Sequence, residues 1–146
     1  MSFDVNNPVV GLCVAGVQVE GTPTEALALY DQAWAARTDD FDAAVAAHYV
    51  ARLQPTADLT LHWNEVALHH ADALHDDRLH ALLPSLRLNL AESYRIAGRD
   101  ADARAVAQRA YDAVDVLPAG GYADMVRGGI TRLRERLASS SSDVNV

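Results

Sequence analysis

The sequence predicts an all-α fold made of helical hairpins, and three observations predict it. Alanine, which has the highest intrinsic helix propensity, supplies 27 of the 146 residues. Only 8 glycines and 5 prolines are present, fewer than a β-rich chain with many turns needs. Apolar residues recur at helical spacing in seven segments. The length favours one domain with its own core, which we place at residues 1–138.

The charge of the chain limits its partners. A net charge of −8 argues against nucleic acid or an anionic membrane as the main partner. No run of 18 apolar residues occurs, and no basic residue precedes the apolar stretch after Pro8, so a cytoplasmic protein without a membrane partner is expected. The single cysteine excludes an internal disulfide framework.

The first two helices are predicted from their start signals. One covers about residues 8–19, with Asn7 as its cap and Pro8 at its first position. The next begins after Thr22, which forms a capping box with Glu25 three residues later. Its apolar stripe has a helical period and consists of Ala26, Leu27, Tyr30, Ala33 and Trp34.

The third and fourth helices are predicted from the same kinds of signal. The third begins after Asp39 and Asp40, and its stripe is Phe41, Val45, Tyr49 and Leu53. Pro55 breaks the chain, and the fourth helix covers about residues 57–75. Its stripe is Leu59, Trp63, Val66, Ala67, His70, Ala71 and Leu74.

The remaining three helices are predicted over about residues 78–97, 100–117 and 122–137. Pro84 should kink the first of them or split off its initial turn. Asp100 is the expected cap of the second. Residues 139–146 have no hydrophobic period, which predicts a disordered tail.

Small and large residues recur at fixed offsets from three turns, at Gly21, Gln54 and Gly98, which lie 33 and 44 residues apart. Five, nine and twelve residues after these turns stand Ala26, Tyr30 and Ala33, then Leu59, Trp63 and Val66, then Ala103, Ala107 and Ala110. The pattern resembles the tetratricopeptide repeat, and the segments 46–52, 62–64 and 88–94 are similar to those of small stand-alone bacterial tetratricopeptide proteins. An irregular helical bundle with accidental alanine periodicity is the alternative.

The resemblance covers three repeats, at about residues 8–37, 40–75 and 78–117, and leaves 122–137 as a capping helix. It implies a right-handed superhelix of three hairpins that binds a peptide or another protein on its concave face, without catalysis. The family's contact positions fall on His48 and Arg52 in the middle repeat and on Asn89, Glu92 and Arg95 in the third. Such groups bind a carboxylate or a peptide backbone by charge-assisted hydrogen bonds.

One observation and one alternative interpretation qualify this site. The family's carboxylate clamp needs two lysines, and the chain has none. In the plainer interpretation, Glu92 and Arg95 are solvated helix-face residues and Arg52 pairs with a neighbouring carboxylate.

A histidine-rich face on the fourth helix suggests a second class of function. His62, Glu65, His69 and Asp72 share one face but span roughly 15 Å at 1.5 Å per residue, too far for one ion. We therefore expect no metal and no cofactor. The alternative is a small-molecule or metal-binding, enzyme-like domain centred on His48 and this helix. Cys13 has no basic neighbour, which predicts a buried, inert thiol, and we expect no enzyme.

The last helix has a local excess of arginine, with Arg127, Arg132, Arg134 and Arg136. Such residues can contact RNA or an acidic partner, but more often they stabilise a helix carboxyl end. If the apolar stripe of this helix is wider than the third repeat can cover, the uncovered part would form a dimer surface. A homodimeric structural adaptor that uses the last helix is thus a further alternative.

Overall fold

The computed structural model describes residue 4, residues 6–74 and residues 77–143, and across these residues all regular secondary structure is helical. This confirms the all-α prediction. The helices are α1 (Pro8–Gln18), α2 (Pro23–Ala35), α3 (Asp40–Ala51), α4 (Ala57–Ala73), α5 (Leu83–Ile96), α6 (Asp100–Ala113) and α7 (Gly121–Asp143), with a short 3₁₀ turn at Val114–Val116. No helix among the described residues is both long enough and apolar enough to cross a membrane.

The chain forms two compact units, Met1–Leu79 and His80–Val146, where the sequence analysis placed a single domain over residues 1–138. In the first unit, α1 pairs with α2 and α3 pairs with α4, while α3 also packs against α1 and α2. In the second, α5 pairs with α6, and α7 packs against both. Residues 77–82, around the boundary, form bends and turns instead of the predicted start of a helix.

Three helices begin at side-chain caps that satisfy free backbone amides. Asn7 Oδ1 accepts a hydrogen bond from the backbone N–H of Val9 at 2.9 Å, as predicted. Asp39 and Thr56 cap α3 and α4 in the same way, at 2.8 and 3.2 Å. The local sequence therefore fixes where α1, α3 and α4 begin.

Two predicted caps are wrong. Thr22 makes no side-chain hydrogen bond, so the capping box with Glu25 does not form. Its ψ of 85° departs from the extended conformation of the caps that do bond. Asp100 is the first residue of α6, and Arg99 occupies the cap position.

The predicted boundaries of α5 and α7 also differ from the observed ones. α5 begins at Leu83, which places Pro84 in the first turn, where its missing N–H costs no hydrogen bond. α7 continues to Asp143, past the predicted start of a disordered tail at residue 139. Adding residues to an established helix costs little, and the Ser139 hydroxyl donates to the Glu135 carbonyl at 3.1 Å. Residues 144–146 lie outside the described residues.

Each unit has its own apolar core. In the first, α3 is almost entirely buried, and Tyr30 of α2 is fully buried beside Ala26 and Val50. In the second, the core is formed by Ala110, Val114, Leu117, Ala123, Val126 and Ile130. These cores fix the faces of α3 and α5 that carry the predicted site residues.

Candidate functional site

Arg52, at the carboxyl end of α3, forms a two-pronged ion pair with Glu20 in the turn between α1 and α2. Its Nε and Nη2 atoms donate to Oε1 and Oε2 of Glu20, each at 2.9 Å. The hydroxyl of buried Tyr30 donates to the same Oε1 at 2.6 Å. The hydrogen bonds from Arg52 and then from Tyr30 lower the pKa of the Glu20 carboxyl. The carboxylate therefore stays charged and holds the guanidinium in one orientation.

This ion pair leaves part of Arg52 available to a ligand. The side chain is 46% exposed. A guanidinium has five N–H donors, and Glu20 engages only the edge formed by Nε and Nη2. Nη1 has no hydrogen-bond partner among the residues described.

His48 lies one turn before Arg52 and is held in its neutral form. Its Nδ1 atom is buried and has no hydrogen-bond partner in the part of the chain that the structure describes. Burial, and secondarily the positive charge of Arg52, lowers the pKa of the imidazole from 6.5 to about 4. Within the described part of the chain no carboxylate hydrogen-bonds to the ring, so it lacks the orienting partner that a catalytic histidine base has.

We expect His48 to make the protein less stable as the pH falls. Because the unfolded state takes up a proton near pH 6.5 and the folded state only near pH 4, the unfolded state binds more protons between these values. The free energy of unfolding should therefore fall by about 2 kcal/mol between pH 6.5 and about pH 5. Urea unfolding over this pH range measures the effect.

A His48→Gln variant is the control, because its side chain does not titrate and its stability should vary less over this range. Glu20 and Glu92, with lowered pKa values, lose their stabilisation only as the pH falls below about 4.5. An equal pH dependence in wild type and variant would contradict the assignment.

In the second unit, the α5 residues form a similar ion pair. Arg95 Nε and Nη2 donate to Oε2 and Oε1 of Glu92 at 3.0 and 2.7 Å. Arg136 of α7 reaches the same carboxylate at 3.3 Å. The hydrogen bond from Arg95 is the main cause of the lowered pKa of Glu92. Asn89, one turn earlier, is partly buried and forms no hydrogen bond with another described residue.

The structure thus groups the five predicted residues by unit, with His48 on α3 and Arg52 at its carboxyl end, and with Asn89, Glu92 and Arg95 on α5. The plainer interpretation, in which Arg52 pairs with a carboxylate, describes the observed contact. Sequence reasoning missed Glu20, Tyr30 and Arg136 as partners in these clusters. The Arg52–Glu20 pair joins residues 32 positions apart, so no helical spacing could have indicated it.

The other residues that the sequence suggested as metal ligands or nucleophiles are less suited to those roles. His62 and His69 are exposed, and the described residues contain no group of three His, Cys, Asp or Glu placed to hold a metal ion. His70 Nδ1 lies 2.8 Å from Asp40 Oδ1. His70 is thus a packed, hydrogen-bonded histidine, as its position on the apolar stripe of the fourth helix predicts. Cys13 is buried, and burial raises the pKa of its thiol to about 12, so it is protonated and a poor nucleophile.

Comparisons with protein-family models, curated proteins and solved structures find no significant match to this chain.

Proposed function

We propose that the chain is a non-catalytic module that binds a peptide or another protein through Arg52, at the carboxyl end of α3, and Arg95 of α5, on hairpins of the tetratricopeptide type. Three consecutive helix pairs, α1/α2, α3/α4 and α5/α6, support it. They fall within the segments that the sequence pattern assigned to three repeats. Gly98, at the turn of the third pair, has a φ of +78°, the left-handed conformation that ends many helices.

The buried small residues also support repeats, most clearly in the first and third pairs. Ala26 and Ala33 of α2 and Ala103 and Ala110 of α6 are all 0% exposed. The middle pair deviates, since Leu59 at the corresponding position is 41% exposed. The repeat pattern is therefore strongest in the first and third helix pairs.

The observation that carries the proposal is the pair of oriented, accessible arginines. Arg52 and Arg95 are each fixed by a carboxylate through Nε and Nη2, which leaves the Nη1 side able to donate. An arginine that is already ordered loses less side-chain entropy when it binds a backbone carbonyl or a carboxylate. Peptides present both kinds of acceptor.

The expected result is that Arg52→Ala combined with Arg95→Ala abolishes most peptide binding and leaves the fold intact. The partly exposed ion pairs contribute about 1 kcal/mol or less each to stability. Loss of an oriented charge at a binding surface should weaken affinity about tenfold or more. A peptide array probed with labelled wild type, both single variants and the double variant measures this.

Arg127→Ala is the matched control, because Arg127 forms an ion pair with Asp115 and is 43% exposed but lies outside both clusters. Its binding should equal that of wild type. Equal melting temperatures establish that all variants are folded. If the double variant retains the wild-type peptides, Arg52 and Arg95 are not the binding residues.

The homodimeric structural adaptor remains a separate prediction, as an alternative to the peptide-binding module. A sedimentation coefficient that rises with protein concentration would favour it over a monomeric binding module.

A further inference from the structure

A shallow cleft lies between α5 and α7 in the second unit. It encloses about 190 Å³ and is lined by Leu88, Asn89, Glu92, Gly129, Arg132, Leu133 and Arg136. Pockets for drug-sized molecules measure about 300–1,000 Å³, so this one is too small for most of them. A single side chain of a bound peptide matches its size better.

Gly129 of α7 shapes this cleft. A Cβ atom at Gly129 would lie 2.6 Å from Cδ2 of Leu88, so glycine allows the two helices to approach closely at this point. A Cβ at Gly128 would lie 3.3 Å from Nη1 of Arg132, which folds back over that position. Gly129 therefore sets the spacing of the walls, and Gly128 leaves room for the guanidinium of Arg132.

The charges around the cleft are unbalanced. Glu92 is the only carboxylate among its lining residues, and it already binds Arg95 and Arg136. Arg132 has no ion-pair partner in the described ranges, and it is one helical turn from Arg136 on the same face. The Asn89 amide adds a donor that has no hydrogen-bond partner among the described residues. The local charge is positive in a chain whose net charge is −8.

We propose that this cleft binds the side-chain carboxylate of an aspartate or glutamate in an acidic peptide, with Arg132, Arg136 and Asn89 as its donors. This rests on the proposed function and adds the chemistry of the ligand. Guanidinium–carboxylate hydrogen bonds are short and strong, and the cleft offers two guanidiniums on adjacent turns. Arg132 and Arg136 of α7 are thus binding residues in this proposal, and their role is not limited to stabilising the carboxyl end of the helix.

The test uses a short capped peptide that alternates glutamate with alanine, and a matched peptide with glutamine in place of glutamate. Fluorescence anisotropy should show that wild type binds the glutamate peptide at least about tenfold more tightly than the glutamine peptide. Arg132→Ala with Arg136→Ala should remove this preference, and Asn89→Ala should reduce it. Added salt should weaken the binding, since exposed charges are screened.

Arg127→Ala, on the same helix but outside the cleft, should bind like wild type. If the Arg132→Ala, Arg136→Ala variant keeps the glutamate preference, the cleft is not the site. If wild type shows no such preference but binds array peptides in an Arg52- and Arg95-dependent way, the cleft proposal fails and the proposed function stands. If it binds no peptide at all, both fail. Tighter binding of a single-stranded RNA than of the glutamate peptide would also overturn the proposal.

Discussion

Replacement of Ala110 by aspartate should unfold the second unit or lower its free energy of unfolding by several kcal/mol. Ala110 is 0% exposed on α6 and belongs to the core cluster with Val114, Val126 and Ile130. A carboxylate placed there would lose its contact with water, and burying it without a partner costs several kcal/mol. The larger side chain adds about 1–3 kcal/mol of overpacking. Because a domain is stable by only about 5–15 kcal/mol, the loss should be visible at room temperature.

Circular dichroism during thermal and urea unfolding measures this loss. Ala105→Asp is the matched control, since Ala105 lies on the same helix but is exposed. It should change the stability by less than about 0.5 kcal/mol. If Ala110→Asp melted like Ala105→Asp, the buried face of α6, and with it the repeat pattern, would be wrongly assigned.

Tyr30→Ala should be the most damaging truncation in the first unit, at about 3–5 kcal/mol. The ring of Tyr30 is fully buried, 5.4 Å from the ring of Tyr49. A Cβ atom at Gly16 would overlap this ring, so α1 and α2 touch through it. Removing the ring leaves a cavity between the two helices and takes one hydrogen bond from Glu20.

Tyr30→Phe separates these two contributions. It keeps the ring and removes only the hydroxyl, while Glu20 retains both hydrogen bonds from Arg52. We expect a loss of about 1 kcal/mol in urea unfolding. If Tyr30→Ala were as mild as Tyr30→Phe, the ring would not be an essential part of this core.

The number and class of the helices follow from local signals in the sequence. Asn7 and Asp39 cap through bonds to residues two and three positions away, and the apolar stripes repeat within each helix. The start of α5 and the end of α7 differ from the prediction, because packing and helix propagation decide where a helix frays.

The candidate site was predictable to the extent that its contacts are local. Glu92 and Arg95 are three residues apart on one helix, a spacing at which side chains meet. The partner of Arg52 lies in another helix pair, and the buried Nδ1 of His48 depends on the packing around α3. Arg132 and Arg136 line the cleft between α5 and α7, where Gly129 lets the two helices approach closely, and this depends on tertiary packing.

The claim that oriented arginines on α3 and α5 bind peptide is tested most directly by NMR of the arginine side chains. ¹⁵N-labelled protein is titrated with a peptide selected on the array, and the Nε–H signals of Arg52 and Arg95 are assigned through the single Arg→Ala variants. We predict that binding shifts the signal of Arg52, of Arg95 or of both, while the signal of Arg127 stays in place. A peptide that binds and leaves the signals of Arg52 and Arg95 unshifted would contradict the account.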